Sequence, residues 1–547
     1  MATTVTLRRW QRDALIAFSD RPLPDFMAVA CPGAGKTTFA LAAIRQELGG
    51  TARPVAVTVP TAHLKRQWAE AAHRFGLHLD PDWDGKSALA ADMHGVVVTY
   101  AQAASAADQI ARQIQGGVVV LDEVHHAAND KTWGDGVARA FSGASVRLLL
   151  SGTPFRSDDS PIPFVRYTHG DWGEAVVDFE YGYGDALSDG GVVRPVYFPR
   201  FDGHMEWTDG SGALREATFA DELNKDQWSA RLRTALDVDG EWITAVLARA
   251  HRRLESIRES HPEAGGLVIA TDQEHARGIA SRLESLTGSK VTVALSEDPK
   301  SSDHIESFAH SEDRWVVAVR MISEGVDIPR LRVAVFATTT TTPLFFRQAV
   351  GRIARWVRGV REQPAYFFVP DDHRLRGHAA NIAVQRRHAI GTKPTGDKRE
   401  PDPSALDDLG DAEQMNLFAA LSSTVLDESM SNDGLDPNET SVRSSAEELI
   451  GHPFELPPPP PLAGRSDSDP LESLAAMRTT FADKKDLRDR NSDRVRTLVS
   501  LVGMEHRAVN AELNRRAKID KITEATASQL QRRLEAADAW LEELTGR

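Results

Sequence analysis

The feature that most restricts the fold of this chain is a rhythm. Short, almost unbroken apolar runs rich in β-branched residues recur: "FMAVA", "PVAVTVP", "GVVVTY", "GGVVVLDE" and "VRLLLSG". Helical patterns such as "TAHLKRQWAEAAHRFG" lie between them. A strand apolar on both faces must be covered on both faces, and strands separated by helices pair in parallel. The rhythm returns in "GGLVIAT", "KVTVALS", "RWVVAVR", "LRVAVFA" and "PAYFFVP". The sequence therefore predicts two α/β domains, each a parallel sheet flanked by helices, over residues 1–205 and 245–395, with a less regular connector at 206–244. A chain of 547 residues has room for both cores.

After residue 395 the composition changes. Residues 396–470 are rich in Asp, Ser and Pro, include "LPPPPPLAG", and read as an acidic disordered linker with a short polyproline spacer. The apolar patch "MNLFAAL" within it is a candidate docking segment. Residues 471–547 read as a small helical region. Thr526 and Gln529 have capping-box spacing, and Leu530, Leu534, Leu541 and Leu544 form a stripe with Trp540 beside it. Packing within that region is the simplest use of the stripe; a protein partner is the alternative.

The net charge of −15 argues at first against nucleic acid as a partner, but its position removes the objection. Between Glu400 and Pro470 there are 16 acidic and 2 basic residues, so nearly all the excess sits there and the rest of the chain is close to neutral. A near-neutral body has scope for a basic groove. The single cysteine, Cys31, excludes an intramolecular disulfide and a cysteine-based metal site. Without a membrane-length apolar run or a signal-like N-terminus, the expected location is the cytoplasm, away from membranes.

Two short stretches carry the chemistry. "ACPGAGKT" follows the strand "FMAV" and precedes the helical "TFALAAIRQEL", the strand–loop–helix order of a P-loop. Across Pro32, Gly33, Ala34, Gly35, Lys36, Thr37 and Thr38, glycines let backbone N–H groups turn towards phosphate, and the helix N-terminus adds its positive end. Lys36 is placed for the β- and γ-phosphates and Thr37 for Mg2+. "GGVVVLDEVHHA" sets Asp122 and Glu123 at the end of an apolar strand, where open α/β sheets bind ligands. Two adjacent carboxylates there call for a cation: Asp122 suits the metal, Glu123 the attacking water. His125 and His126 lack the further ligand spacing of a zinc site.

A third stretch, "FFRQAVGRIAR", would on a helix bring Gln348, Arg352 and Arg355 to one face, with Gly351 leaving room for a close approach. Arginines grouped in this way commonly meet carboxylate or phosphate.

Together these stretches resemble superfamily 2 helicases and translocases of the DExH type, and the spelling of Asp122-Glu123-Val124-His125, "SGTPFR" and "EGVDIP" is most similar to restriction-enzyme motor subunits and excision-repair helicases. Other segments match in order: "LRRWQ" resembles the adenine-recognition segment, "VPTAHLKRQW" motif Ia, "VTYAQ" motif Ib, "LVIATDQEHA" motif IV, "RMISEGVDIPRL" motif V and "QAVGRIAR" motif VI. The resemblance implies two tandem RecA-like P-loop domains using ATP and Mg2+. It makes Gln11 the adenine reader, and Arg352 and Arg355, with Gln348, the groups that reach ATP from the second domain. Asp327 would help couple the nucleotide to motif V. Thr61, Thr99, Tyr100, Thr271 and Ser323 would contact nucleic acid, with DNA favoured over RNA. His125, Ser151 and Thr153 would couple hydrolysis to movement. The function expected is an ATP-dependent nucleic-acid motor. A translocase or remodeller that does not separate strands, and an ATP-gated recruitment scaffold, are the alternatives.

Overall fold

A computed structural model describes residues 4–128, 131–152, 156–157, 161–169, 172–295, 301–319, 328–360, 362–390, 419–430, 452–462 and 481–545. The chain divides into two compact units. The first comprises Met1–Val29, Gly35–Glu180 and Ile450–Arg547; the second comprises Ala30–Ala34 and Tyr181–Leu449.

The first unit is built on a seven-stranded sheet in the order Phe179–Tyr181, Asp25–Ala30, Val146–Ser151, Val118–Leu121, Val55–Val59, Gly95–Thr99, Leu79–Asp80. Pairing is parallel from Asp25–Ala30 across to Leu79–Asp80. Val55–Val59, Val118–Leu121 and Val146–Ser151 are buried at every position, as strands covered on both faces must be. Every strand that ends in a predicted functional residue points that end to the same sheet edge.

The second unit repeats the plan with Ala365–Pro370, Leu331–Ala337, Gly265–Ala270, Trp315–Ala318 and Thr292–Ala294 in parallel order. Its far side is finished differently. Pro199–Thr208 joins Ala365–Pro370 and turns into an antiparallel hairpin with Leu214–Thr218. Along Pro199–Thr208 buried and half-buried positions alternate, with Phe201, Met205 and Trp207 inward. Much of the segment read as a connector is thus sheet and helix of the second unit.

Two strands lie inside the segment expected to be linker. Ala419–Met430 pairs antiparallel with Pro199–Thr208, from Thr208 opposite Ala419 to Pro199 opposite Met430, so the end of "MNLFAAL" does dock. His452–Glu455 pairs antiparallel with Thr4–Leu7 in the first unit. Three helices, Phe481–Val502, His506–Ala517 and Ala527–Thr545, then pack around Val495, Leu498, Val509, Leu513, Ala537 and Trp540. The capping box forms: Gln529 N–H donates to Thr526 Oγ1 at 3.2 Å, and Thr526 N–H to Gln529 Oε1 at 2.7 Å. Leu530 and Leu534 are buried, whereas Leu544 is 45% exposed.

Candidate nucleotide site

The P-loop is a left-handed turn feeding a helix. Gly33 and Gly35 have φ of 83° and 99°, a region closed to most side chains, and Gly35 caps the helix Lys36–Leu48. A side chain at Gly35 would also strike the Gln11 amide, whose nitrogen lies 2.8 Å from the position of a Cβ. Gln11 Nε2 donates to the Gly35 carbonyl at 2.9 Å, while its Oε1 accepts the Arg8 N–H at 2.8 Å. The expected adenine reader is therefore joined to the P-loop. Cys31 is buried beside it, a small filler in the loop.

Lys36 Nζ meets Glu123 Oε1 at 2.9 Å. The second Glu123 oxygen accepts the Gly152 N–H at 3.1 Å, and His125 Nδ1 lies 3.8 Å from it. Glu123 has φ of 49°, left-handed backbone in a residue with a side chain, at a cost of about 1–2 kcal/mol. Asp122 is 8% exposed and accepts the Trp68 indole N–H at 2.9 Å. Burial, then the neighbouring Glu123 charge, pushes the Asp122 carboxyl up to about 6. Burial also raises Glu123, but the Lys36 ammonium and His125 outweigh it and bring it down to about 2. Lys36 thus pairs directly with Glu123, while Asp122 is held by the Trp68 indole and feels the lysine only at longer range. The Thr37 hydroxyl and the Asp122 carboxylate are hard oxygen donors of the kind magnesium takes, so the residues present fit that ion.

Trp68 and Gly152 were not singled out from the sequence. Trp68 closes "VPTAHLKRQW" on the helix Ala62–Arg74, and only the fold reveals that its indole reaches Asp122. Tyr100, read above as a nucleic-acid contact, lies beneath the acidic turn. It is 1% exposed, its hydroxyl donates to the Asp122 carbonyl at 2.9 Å, and it supports the acidic turn from beneath. Thr99 caps the helix Tyr100–Ser105, accepting the Gln102 N–H. Thr61 sits at the N-cap of Ala62–Arg74 with its Oγ1 buried and, among the described residues, without a hydrogen-bond partner. Ser151 ends its strand fully buried.

In the second unit Thr271 follows the strand Gly265–Ala270, and its hydroxyl lies 3.4 Å from the Ala337 carbonyl. The helix carrying motif VI spans Pro343–Ile353 and is capped by Ala354. Gln348 and Arg352 are on it, but Arg355 lies beyond its end, in an antiparallel bridge with Val193. Gly351 does permit a close approach: the Pro32 side chain, in the same unit, lies 2.6 Å from where a Cβ would stand. Thr153, Ser323 and Asp327 lie outside the described residues. On the hairpin, the ligating atoms of His204, Glu206 and Glu216 lie within 4.8 Å of one another, all at least partly open to solvent, as cross-strand polar groups often are.

This fold, with a P-loop lysine paired to a DExH glutamate, defines a superfamily 2 helicase or translocase. Residues 4–156 match the family model for the type III restriction enzyme res subunit, and residues 253–357 match the helicase conserved C-terminal domain. The chain belongs to the family of the Mycobacterium tuberculosis "Uncharacterized protein MT2985", to which it is 40% identical over 97% of its own length and 92% of the relative's. It is also similar to the "DNA 3'-5' translocase XPB2" of Sulfurisphaera tokodaii, 23% identical over 64% of this chain and 79% of that one. Among solved structures, Saccharomyces cerevisiae Dbp5 bound to RNA and ADP BeF3 aligns over 71% of this chain and 88% of its own, with 16% identity and a TM-score of 0.44. Helicase families of this kind use ATP with magnesium. Among the described residues, no helix is long and apolar enough to cross a membrane.

Proposed function

We propose that the protein is a nucleic-acid-stimulated ATPase that moves along DNA. The observation that carries this reading is the Lys36–Glu123 ion pair beside the buried Asp122, whose carboxyl burial pushes up to about 6. Polyphosphate entering the P-loop competes for Lys36, which then serves the β- and γ-phosphates. Glu123, released from Lys36 and still held by the Gly152 N–H, is left to orient a water for in-line attack. Thr37 and Asp122 would hold the magnesium ion, which neutralises charge on the transferred phosphoryl group when bound. Arg352 and Arg355, with Gln348, supply the further positive charge and hydrogen bonding that such transfer requires. DNA as the track is supported by the restriction-enzyme family model and by the name of the archaeal relative.

Steady-state ATP hydrolysis tests the reading, measured without nucleic acid and with single-stranded DNA, duplex DNA and single-stranded RNA. Glu123→Gln controls for contaminating activity. Strong stimulation by DNA is expected. Slow hydrolysis indifferent to every polymer would overturn the motor and favour a recruitment role, while stimulation by RNA alone would overturn the choice of track.

A further inference from the structure

The proline-rich segment sits against the elements that form the nucleotide site. His452–Glu455 pairs with Thr4–Leu7 in the register Thr4 to Glu455, Val5 to Phe454, Thr6 to Pro453 and Leu7 to His452. Leu7 is fully buried and runs directly into Arg8 and the helix that carries Gln11. The chain then passes Leu456, 3% exposed, and crosses the helix Lys36–Leu48. There Arg45, fully buried, donates one guanidinium nitrogen to the Pro457 carbonyl and another to the Phe75 carbonyl. Pro459 lies over Gly76, its Cβ 3.6 Å from where a Gly76 Cβ would stand. The Pro460 carbonyl accepts from His94 Nε2 at 3.0 Å; His94 Nδ1 accepts the His78 N–H at 2.9 Å, so the imidazole tautomer is set. Beyond it, Asp92 accepts from Lys484 Nζ at 2.6 Å and from the Ala527 N–H at 2.8 Å, which ties the helical region to the same unit.

One segment therefore holds both elements that meet at Gly35: the strand leading to Gln11 and the helix that begins at Lys36. We infer that His452–Pro460 is a positioning strap for the nucleotide site, acting through the Thr4–Leu7 strand and Arg45 to hold Gln11 in register with the P-loop. The strap touches no reacting atom. It sets nucleotide affinity and the preference for adenine, and leaves the rate of the chemical step at saturation unchanged. Polyproline backbone suits the task, because its extended form is fixed before it docks and little conformational freedom is lost.

This inference rests on the proposed function, and the test separates the two. Binding of a fluorescent ATP analogue and of its guanine counterpart is measured on the full chain, beside KM and kcat for both nucleotides. The proteins are the parent, Leu456→Ser, Arg45→Met, Gln11→Ala and Leu456→Ser combined with Gln11→Ala. Leu456→Ser and Arg45→Met should each weaken ATP-analogue binding about fivefold to tenfold, the worth of roughly one net hydrogen bond. Both should raise KM with kcat within about twofold, and both should narrow the gap between adenine and guanine. In the Gln11→Ala background Leu456→Ser should add almost nothing, since both changes disable one contact. Unchanged affinity in folded variants, or an equal further loss in the Gln11→Ala background, overturns the strap while the ATPase reading stands. A parent that binds neither nucleotide overturns both. Melting curves establish folding; if Leu456→Ser melts below the assay temperature, Leu456→Ala takes its place with the same expected direction.

Discussion

The two units bury their charges for opposite ends. In the second, buried cations are turned onto backbone carbonyls: Arg330 onto Phe308, Glu263 and Asp313, Arg332 onto Pro364, Arg194 onto Pro329 and Leu331, and Arg386 onto Val196. The first unit uses this device at Arg45, but at the sheet edge that carries the P-loop it sets two adjacent carboxylates, Asp122 buried and Glu123 partly exposed, beside Lys36. At Arg330 all three guanidinium nitrogens are bonded to fixed carbonyls, and the charge is met within the fold. A carboxylate pair short of positive charge has a use for whatever brings some. Satisfied charge marks packing, and under-compensated charge marks chemistry.

The strongest attempt to break that contrast compares two arginines of the same unit. Arg355→Ala should bind ATP and melt like the parent, yet lose about 10³- to 10⁵-fold in turnover. Near-parental ATPase in that variant would remove Arg355 from the machinery. Arg330→Met should do the reverse, losing about 3 kcal/mol in urea unfolding by leaving buried carbonyls unpaired. Nucleotide affinity of the folded fraction should be unchanged; a stability close to the parent's would mean that its carbonyl contacts contribute nothing.

Asp122→Asn probes the incomplete side. The folded-state pKa of Asp122 is raised to about 6. Its ionisation therefore favours the unfolded chain above that pH, and the penalty fades as pH falls through 6 towards the unfolded value. In EDTA at pH 7.5 the variant should be about 1–3 kcal/mol more stable than the parent, with the gain shrinking below pH 6. Magnesium should raise the melting temperature of the parent more than that of the variant. A variant less stable than the parent at pH 7.5 would show that the pair is fully compensated. The smallest effect belongs to the exposed pair Arg282–Asp239, at 3.2 Å and with Asp239 95% exposed. Asp239→Ala should change stability by less than about 0.5 kcal/mol, checked by the same urea titration.

What was legible in the sequence was local. The P-loop and the Asp122-Glu123 turn are contiguous, and the strand before each is a strand wherever it pairs, so spacing alone placed Lys36, Thr37, Asp122 and Glu123 on one sheet edge. The Gln11 side chain closes a turn three residues long, again within reach of pattern. What could not be read depends on distant partners. Nothing around Tyr100 distinguishes a surface aromatic from one beneath the acidic turn. Helical spacing carried Arg355 onto the motif VI helix, but the helix stops at Ile353 and the bridge to Val193 takes Arg355 out of phase. The strand Ala419–Met430 and the segment after His452 are polar or proline-rich, and their partners lie more than 200 residues away in the sequence.

That last pairing has a consequence for how the protein is made. Thr4–Leu7 leaves the ribosome well before its partner, which begins at His452. At about 5–20 residues per second, roughly 20–90 s of synthesis separates the two, during which the second unit emerges whole. The first unit is therefore completed only after the second, although most of its sheet is made before it. A ribosome that stalls just before His452 would leave a chain with both parallel sheets made and the Thr4–Leu7 edge open, a species that chaperones and proteases would be the first to meet.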